Sequence, residues 1–164
     1  SGVLLARRDG EWIELDFPAR IQQAAAPPVG LVEALGVTPV YVGRWHDDWL
    51  LELGSEVEVR DARPDPTRLG TVGVRGAMIT AAAATEGLDF VSRFFVPGAG
   101  IAEDPVTGSA HCCLTPYWAG RLGRDAMTAF QASARGGVLR VRLGGERVRI
   151  GGQAVTVAQG ELRV

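Results

Sequence analysis

The stretch EDPVTGSAHCCLTPYWAGRLG, residues 103–123, decides how the rest of the chain is read. It sets two acids and a proline ahead of a Thr-Gly-Ser step, then runs through mostly apolar residues to a glycine. Pro105 pushes Asp104 into extended backbone. Thr107 is a good N-cap and Gly123 a good stop. The residues between them are apolar on nearly every side, which marks a buried helix over about 107–122 rather than a surface one. Pro116 removes one backbone donor inside that helix and predicts a kink or a split.

If Thr107 caps the helix, the amides of Gly108, Ser109 and Ala110 have no intrahelical acceptor. They sit where the macrodipole places about half a positive charge, and Gly108 allows another group to approach closely. That combination suits a carboxylate or a phosphate. Asp104 stands beside it, able to carry a proton or accept a substrate hydrogen bond. The same residues are equally compatible with a plain capped helix in which Asp104 only complements the dipole. Two nucleotide-binding motifs are excluded. GAGIAE (98–103) lacks the final glycine of a dinucleotide fingerprint, and no lysine follows Thr107-Gly108. Ser109 and His111, two apart on a helix, diverge and form no triad; His111 reads as a satisfied core histidine. Arg93 reads as a strand-face arginine within reach of a carboxylate. Gln131, Ser133 and the glycines of FQASARGG (130–137) read as a strand entry and turn, or as ligand donors.

At 164 residues the chain is one domain, or one domain plus a remnant of another. A net charge of −2, with arginines scattered among apolar residues, argues against a nucleic-acid partner. No apolar run reaches the roughly 18 residues of a membrane span, and SGVLLARRDGE lacks the order of a signal peptide. The expected location is the cytoplasm. Cys112 and Cys113 are neighbours, so they are expected to be unbridged, buried small hydrophobes. With His46 and His111 as the histidines, no metal site is expected.

Elsewhere short alternating segments dominate. GVLLARR and EWIELDF form a hairpin about Asp9-Gly10. VGLVEALGV (29–37) fits a short helix closed by Gly36. YVGRW and DWLLELG read as strands, and RPDPTRLG (63–70) as a turn with one helical turn. AMITAAAA (77–84) and LDFVSRFFVP (88–97) read as strands. Over 135–164, glycine pairs at 136, 144 and 151 separate short alternating segments, predicting an antiparallel meander turned at each pair. The expected class is α+β, many strands around one buried helix.

RFFVPGAGIAEDPVTGSAH, with YWAGRLG, FQASARGG and IGGQAVTVAQGEL, resembles the signature of the phenazine-biosynthesis PhzF-like proteins, members of the diaminopimelate-epimerase-like superfamily. The resemblance implies a lobe in which a mixed or antiparallel sheet wraps a central helix, paired with a similar lobe across the active site. It also implies cofactor-independent isomerases or epimerases that move a proton on a small carboxylate. On that pattern Asp104 is the catalytic residue of this lobe, and Thr107, Gly108, Ser109 and Ala110 bind substrate. Residues 1–18 correspond to a remnant of the first lobe, 19–159 to the C-terminal lobe and 160–164 to a terminal strand. The glutamate base and the Gly-His-x-Thr motif of the first lobe have no counterpart in this sequence. The expected partner is therefore a first lobe or, in a non-catalytic alternative, a second copy in a homodimer.

Overall fold

The chain opens with a hairpin, β1 (Leu5–Asp9) and β2 (Trp12–Pro18), and crosses to a two-residue strand, β3 (Gln23–Ala24). There follow α1 (Leu31–Leu35), β4 (Tyr41–Trp45), β5 (Asp48–Glu52), α2 (Glu56–Asp61), α3 (Pro66–Thr71), β6 (Gly76–Ala82) and β7 (Phe90–Phe95). The long helix α4 (Gly108–Leu122) and the strands β8 (Ala126–Gln131), β9 (Gly137–Gly144) and β10 (Arg147–Gln153) complete it. This computed structural model describes residues 4–161.

All strands join one 10-stranded sheet in the order β1-β2-β10-β9-β8-β7-β6-β5-β4-β3. Its ladders are antiparallel except β5–β6 and β7–β8. Parallel neighbours need a crossover, supplied by α2 with α3 and by α4 respectively. The sheet curls around α4. Leu50, Met78, Phe94, Ala129, Val141 and Ile150, from six different strands, pack with Ala110, Leu114 and Trp118 of the helix. That enclosure is why α4 is apolar all round. The outer face of β5–β7 carries a second core, where Leu51, Ile79 and Phe95 meet Leu31, Leu35 and Val59 of the short helices. β6 is thus buried on both faces, which holds the alanine-rich segment as a strand against its helical propensity. No helix among the described residues is long and apolar enough to cross a membrane.

Several expectations are met and some need correction. α1 closes at Gly36 with φ +67°, and α4 closes at Gly123 with φ +66°. Pro116 does not split α4, which runs unbroken. Its missing N–H leaves the Cys112 carbonyl without its partner one turn on, and that carbonyl accepts the backbone amide of Arg20 at 2.9 Å. α2 was not expected. Its signal is a capping box: Ser55 Oγ accepts from the Glu58 amide at 3.3 Å and donates to Glu58 Oε1 at 3.0 Å. The third glycine turn is also wrong. Gly151 and Gly152 lie inside β10, opposite Glu14 and Ile13 of β2. A Cβ at Gly151 would lie in ordinary contact with Trp12 Cε3 and the Arg140 carbonyl, each at 3.5 Å, so the strand pairing and not steric need places this glycine. The strand expected over 160–164 falls mostly outside the described residues; 160 and 161 are not in a strand.

The structure also exposes a repeat. Gly2-Val3-Leu4, Arg7 and Gly10-Glu11 recur in step as Gly137-Val138-Leu139, Arg142 and Gly145-Glu146. Both hairpins turn on a left-handed glycine, Gly10 at φ +60° and Gly145 at φ +61°. In that correspondence Leu15 matches Ile150, and the β2–β10 register pairs these two residues directly. Ile13 matches Val148, which lies opposite Phe17, and Phe17 matches Gly152, which lies opposite Ile13. The four strands β1-β2-β10-β9 therefore have a pseudo-two-fold axis between Leu15 and Ile150. Their burial breaks that symmetry. Val148 and Ile150 lie under α4 at 0% and 6% exposure, whereas Ile13 and Leu15 stand at 40% and 38%.

Candidate functional site

The loop before α4 is fixed from three sides. The Asp104 amide donates to the Phe94 carbonyl at 2.9 Å, hanging the loop on the end of β7. Arg93 of β7 grips Glu103 with two bonds, Nε to Oε1 at 2.7 Å and Nη2 to Oε2 at 2.9 Å. Its Nη1 donates to the Ala62 carbonyl at 2.8 Å, at the end of α2. Arg93 does meet a carboxylate, and Glu103 is thereby a structural acid. From the turn between β8 and β9, Ser133 Oγ donates to the Pro105 carbonyl at 2.7 Å, and Gly137 at the start of β9 gives room to Val106, whose Cγ2 would lie 2.5 Å from a Cβ there.

Gln131 is the hub of this arrangement. It is fully buried, and its Oε1 accepts from the Thr107 amide at 2.8 Å. Its Nε2 donates to the Asp104 carbonyl at 2.6 Å and to Thr107 Oγ1 at 3.1 Å. The sequence reads Gln131 and Ser133 as a strand entry and turn or as ligand donors, not as the brace of this loop. The available signal was the alternation of AMTAFQ, which puts Gln131 on the buried face of Met127 and Ala129; a buried amide must have partners.

Thr107 is the N-cap residue by backbone, but its side chain does not cap. The hydroxyl donates instead to Asp104 Oδ2 at 2.6 Å, fixing that carboxylate beside the helix end. The Thr107 carbonyl accepts from the His111 amide at 3.3 Å and faces His111 Nδ1 at 2.8 Å. The amides of Gly108, Ser109 and Ala110 have no acceptor among the described residues. Space in front of Gly108 is open, the nearest atom to a Cβ there being Phe17 Cε2 at 4.0 Å. Gly108, Ser109 and Asp104 are partly exposed, whereas Thr107 and Ala110 are buried, so Ala110 offers only its amide. The helix end thus joins free amides, an open approach and an anchored carboxylate.

His111 is only half satisfied. Since the Thr107 carbonyl is an acceptor, Nδ1 carries the proton, and Nε2 is buried with no partner. Burial holds the ring neutral, with its pKa lowered to about 4; the Thr107 carbonyl only partly offsets this. The cysteines are unbridged and buried. Burial pushes the Cys112 thiol up to about 11 and Cys113 up to about 12, with Asp48 adding to the latter. Neither is a ready nucleophile. Among the described residues no three of His, Cys, Asp and Glu converge on a point that could hold a metal ion.

These features define an α+β fold whose central helix presents unbonded N-terminal amides beside an aspartate fixed by Thr107. The family model described as Phenazine biosynthesis-like protein (PhzC-PhzF) matches residues 20–160, and the chain belongs to that family. An uncharacterized isomerase of Halalkalibacterium halodurans is 46% identical to it, over 99% of this chain and 62% of its own length. An uncharacterized isomerase of Pseudomonas aeruginosa is 50% identical, over 100% of this chain and 62% of its own. The crystal structure of a PhzF-family phenazine biosynthesis protein from Enterococcus faecalis superposes with a TM-score of 0.88 at 35% identity, over 97% of this chain and 60% of that one. The chain spans about three fifths of the length of these relatives.

Proposed function

We propose that this chain is the C-terminal lobe of a cofactor-independent isomerase that moves a proton on a small carboxylate substrate. Its site is completed by a first lobe. The observation that carries the reading is the helix end itself: three free amides at residues 108–110 beside a carboxylate held by Thr107. Gly108, Ser109 and Ala110 bind the substrate carboxylate through their amides. Charge that builds up on that carboxylate when the neighbouring C–H is broken meets donors already in place. Asp104 touches the substrate as proton carrier or orienting acceptor, and Thr107 acts through it. Moving a proton from one position to another takes a donor and an acceptor around one substrate, so an opposing acid/base comes from outside this chain. Two close relatives named as isomerases support the reaction class.

The pseudo-two-fold hairpins support the first lobe. Residues 1–18 are its last hairpin, and residues 19–159 form the lobe that holds α4. What α4 does for Val148 and Ile150, a matching helix does for Ile13 and Leu15. The test supplies the preceding segment of the natural gene, in cis or in trans, and follows deuterium from solvent into a panel of small carboxylic acids by mass spectrometry. Exchange should require both segments and fall roughly a hundredfold or more in Asp104→Asn. Equal exchange by this chain alone, or an unaffected variant, would contradict the proposal.

A second reading rests on the same exposed face. A symmetric homodimer that buries Ile13 and Leu15 would make a carboxylate-binding module without turnover. Light scattering separates the two, since a stable monomer at micromolar concentration excludes the dimer.

A further inference from the structure

We infer that Arg20, backed by Trp45, is a second recognition point that selects acids bearing another anionic group on a flat apolar body. The inference rests on the carboxylate reading of the α4 helix end and extends it to substrate class.

A groove of about 320 Å³ runs beside the first turns of α4, between the ends of β2 and β4. Phe17, Pro18 and Trp45 give it apolar walls, Leu4 stands at its rim, and Ser109 and Cys112 face it from the helix. The Cys112 thiol is neutral, because burial holds its pKa near about 11. Among the described residues, the one ionised side chain lining the groove is Arg20.

Arg20 is tethered at its backbone, at one guanidinium nitrogen and over the Trp45 ring. Its backbone amide is tied to the Cys112 carbonyl at 2.9 Å. Its guanidinium lies 4.3 Å from the Trp45 ring centre, a stacking distance for a cation. Nη1 reaches the Ser109 carbonyl at 3.4 Å and lies 3.8 Å from Asp48 Oδ2. That oxygen is already bonded by Arg75, so one buried carboxylate serves two guanidinium groups. Among the described residues one positive charge is therefore left over at this corner. Of the five N–H donors of a guanidinium, Nη1 alone has an acceptor among the described residues. The side chain is 27% exposed. An arginine that merely closed the fold would have its donors occupied, and a solvated one would not be stacked and tethered.

Ser109 joins this point to the helix end. Its amide belongs to the free first turn, and its carbonyl points the opposite way along the axis, toward Arg20. Ser109 is thus the residue common to the unbonded amides and the guanidinium contact. One carboxylate engages the amides. A second anionic group, carried across the apolar walls by a planar spacer, engages Arg20 through two parallel bonds.

Isothermal titration of this chain at low salt with benzoate and with isophthalate tests this. Isophthalate should bind about tenfold more tightly than benzoate. Arg20→Gln should bring isophthalate down to the benzoate level and leave benzoate within about twofold. Arg20→Lys, a point charge without the fork, should keep only part of the preference. Trp45→Leu, which leaves the charge but removes its support, should reduce the preference without abolishing benzoate binding; thermal melts confirm folding of each variant. Equal affinity for the two acids, or a loss in Arg20→Gln that strikes both alike, overturns the inference and leaves the carboxylate site standing. Failure of both acids to bind overturns the site as well.

Discussion

The backbone amide of Arg20 donates to the carbonyl of Cys112, and that acceptor is available because Pro116 has no N–H to occupy it. A proline in the middle of a core helix looks like a defect. Here it is the attachment point for the segment that leaves β2 and crosses α4 on its way to β3.

Replacing Pro116 with alanine should separate two effects. Helix propensity favours alanine by about 3 kcal/mol in a helix interior. The new amide competes for the Cys112 carbonyl and weakens the tie to Arg20. Hydrogen exchange at the Arg20 amide should accelerate by about tenfold or more while the global melting temperature holds or rises. Unchanged exchange at Arg20 would show that the crossover is held by something else.

Gln131 should be intolerant of apolar replacement despite its size match. Gln131→Leu strands the Thr107 amide and the Asp104 carbonyl in the interior, at a cost of about 2–4 kcal/mol in chemical denaturation. Gln131→Glu should cost at least as much, since it turns an oxygen toward two acceptors it cannot serve. A loss below about 1 kcal/mol for the leucine variant would mean that the loop before α4 has other support.

How much of this was legible in the sequence varies with the signal. The ends of α4 could be read because Thr107 and Gly123 are local signals and the buried run between them is long. α2 is not evident from the sequence although Ser55 and Glu58 spell its start, because its six residues are too short for a helical period to stand out beside β5. Gly151-Gly152 reads as a turn because glycine pairs usually are; its place inside β10 follows from its pairing with β2, a long-range fact. Gln131 as organiser of the site, and the hairpin symmetry, needed the register. Asp104, Gly108 and Ser109 can be singled out as candidates from the helix end alone, whereas the partner of the Thr107 hydroxyl needs the loop geometry.

The two halves of the pseudo-symmetric sheet should respond differently to the same change. Ile150→Ala opens a cavity under α4 and should cost about 2–4 kcal/mol. Leu15→Ala, its counterpart on the uncovered hairpin, should cost less than about 1 kcal/mol in this chain. Urea denaturation of both variants decides it. Equal costs would mean that the face of β2 is covered within the chain.

Acid should destabilise the fold in two adjoining windows. His111 takes up a proton near 6.5 when unfolded but only near about 4 when folded, because of burial. The unfolded state therefore binds more protons between those values, and stability falls as pH drops from 6.5 to 4. Burial opposes ionisation of Glu56, but bonds from Thr85, Arg60 and Ala84 outweigh it and bring its pKa from 4.5 down to about 2. Its contribution is complete above 4.5 and is lost as pH falls toward 2. Denaturation midpoints against pH should show both slopes. His111→Gln should flatten the upper one alone and Glu56→Gln the lower one alone; a His111→Gln profile parallel to the wild type would contradict the assignment.

The most direct test of the central claim is a ¹⁵N–¹H correlation spectrum of this chain titrated with benzoate at constant ionic strength. Binding at the α4 helix end predicts saturable shifts of the Gly108, Ser109 and Ala110 amides, with Asp104 following. Shifts that never saturate, or that leave these amides unmoved while other residues respond, would contradict a carboxylate site there.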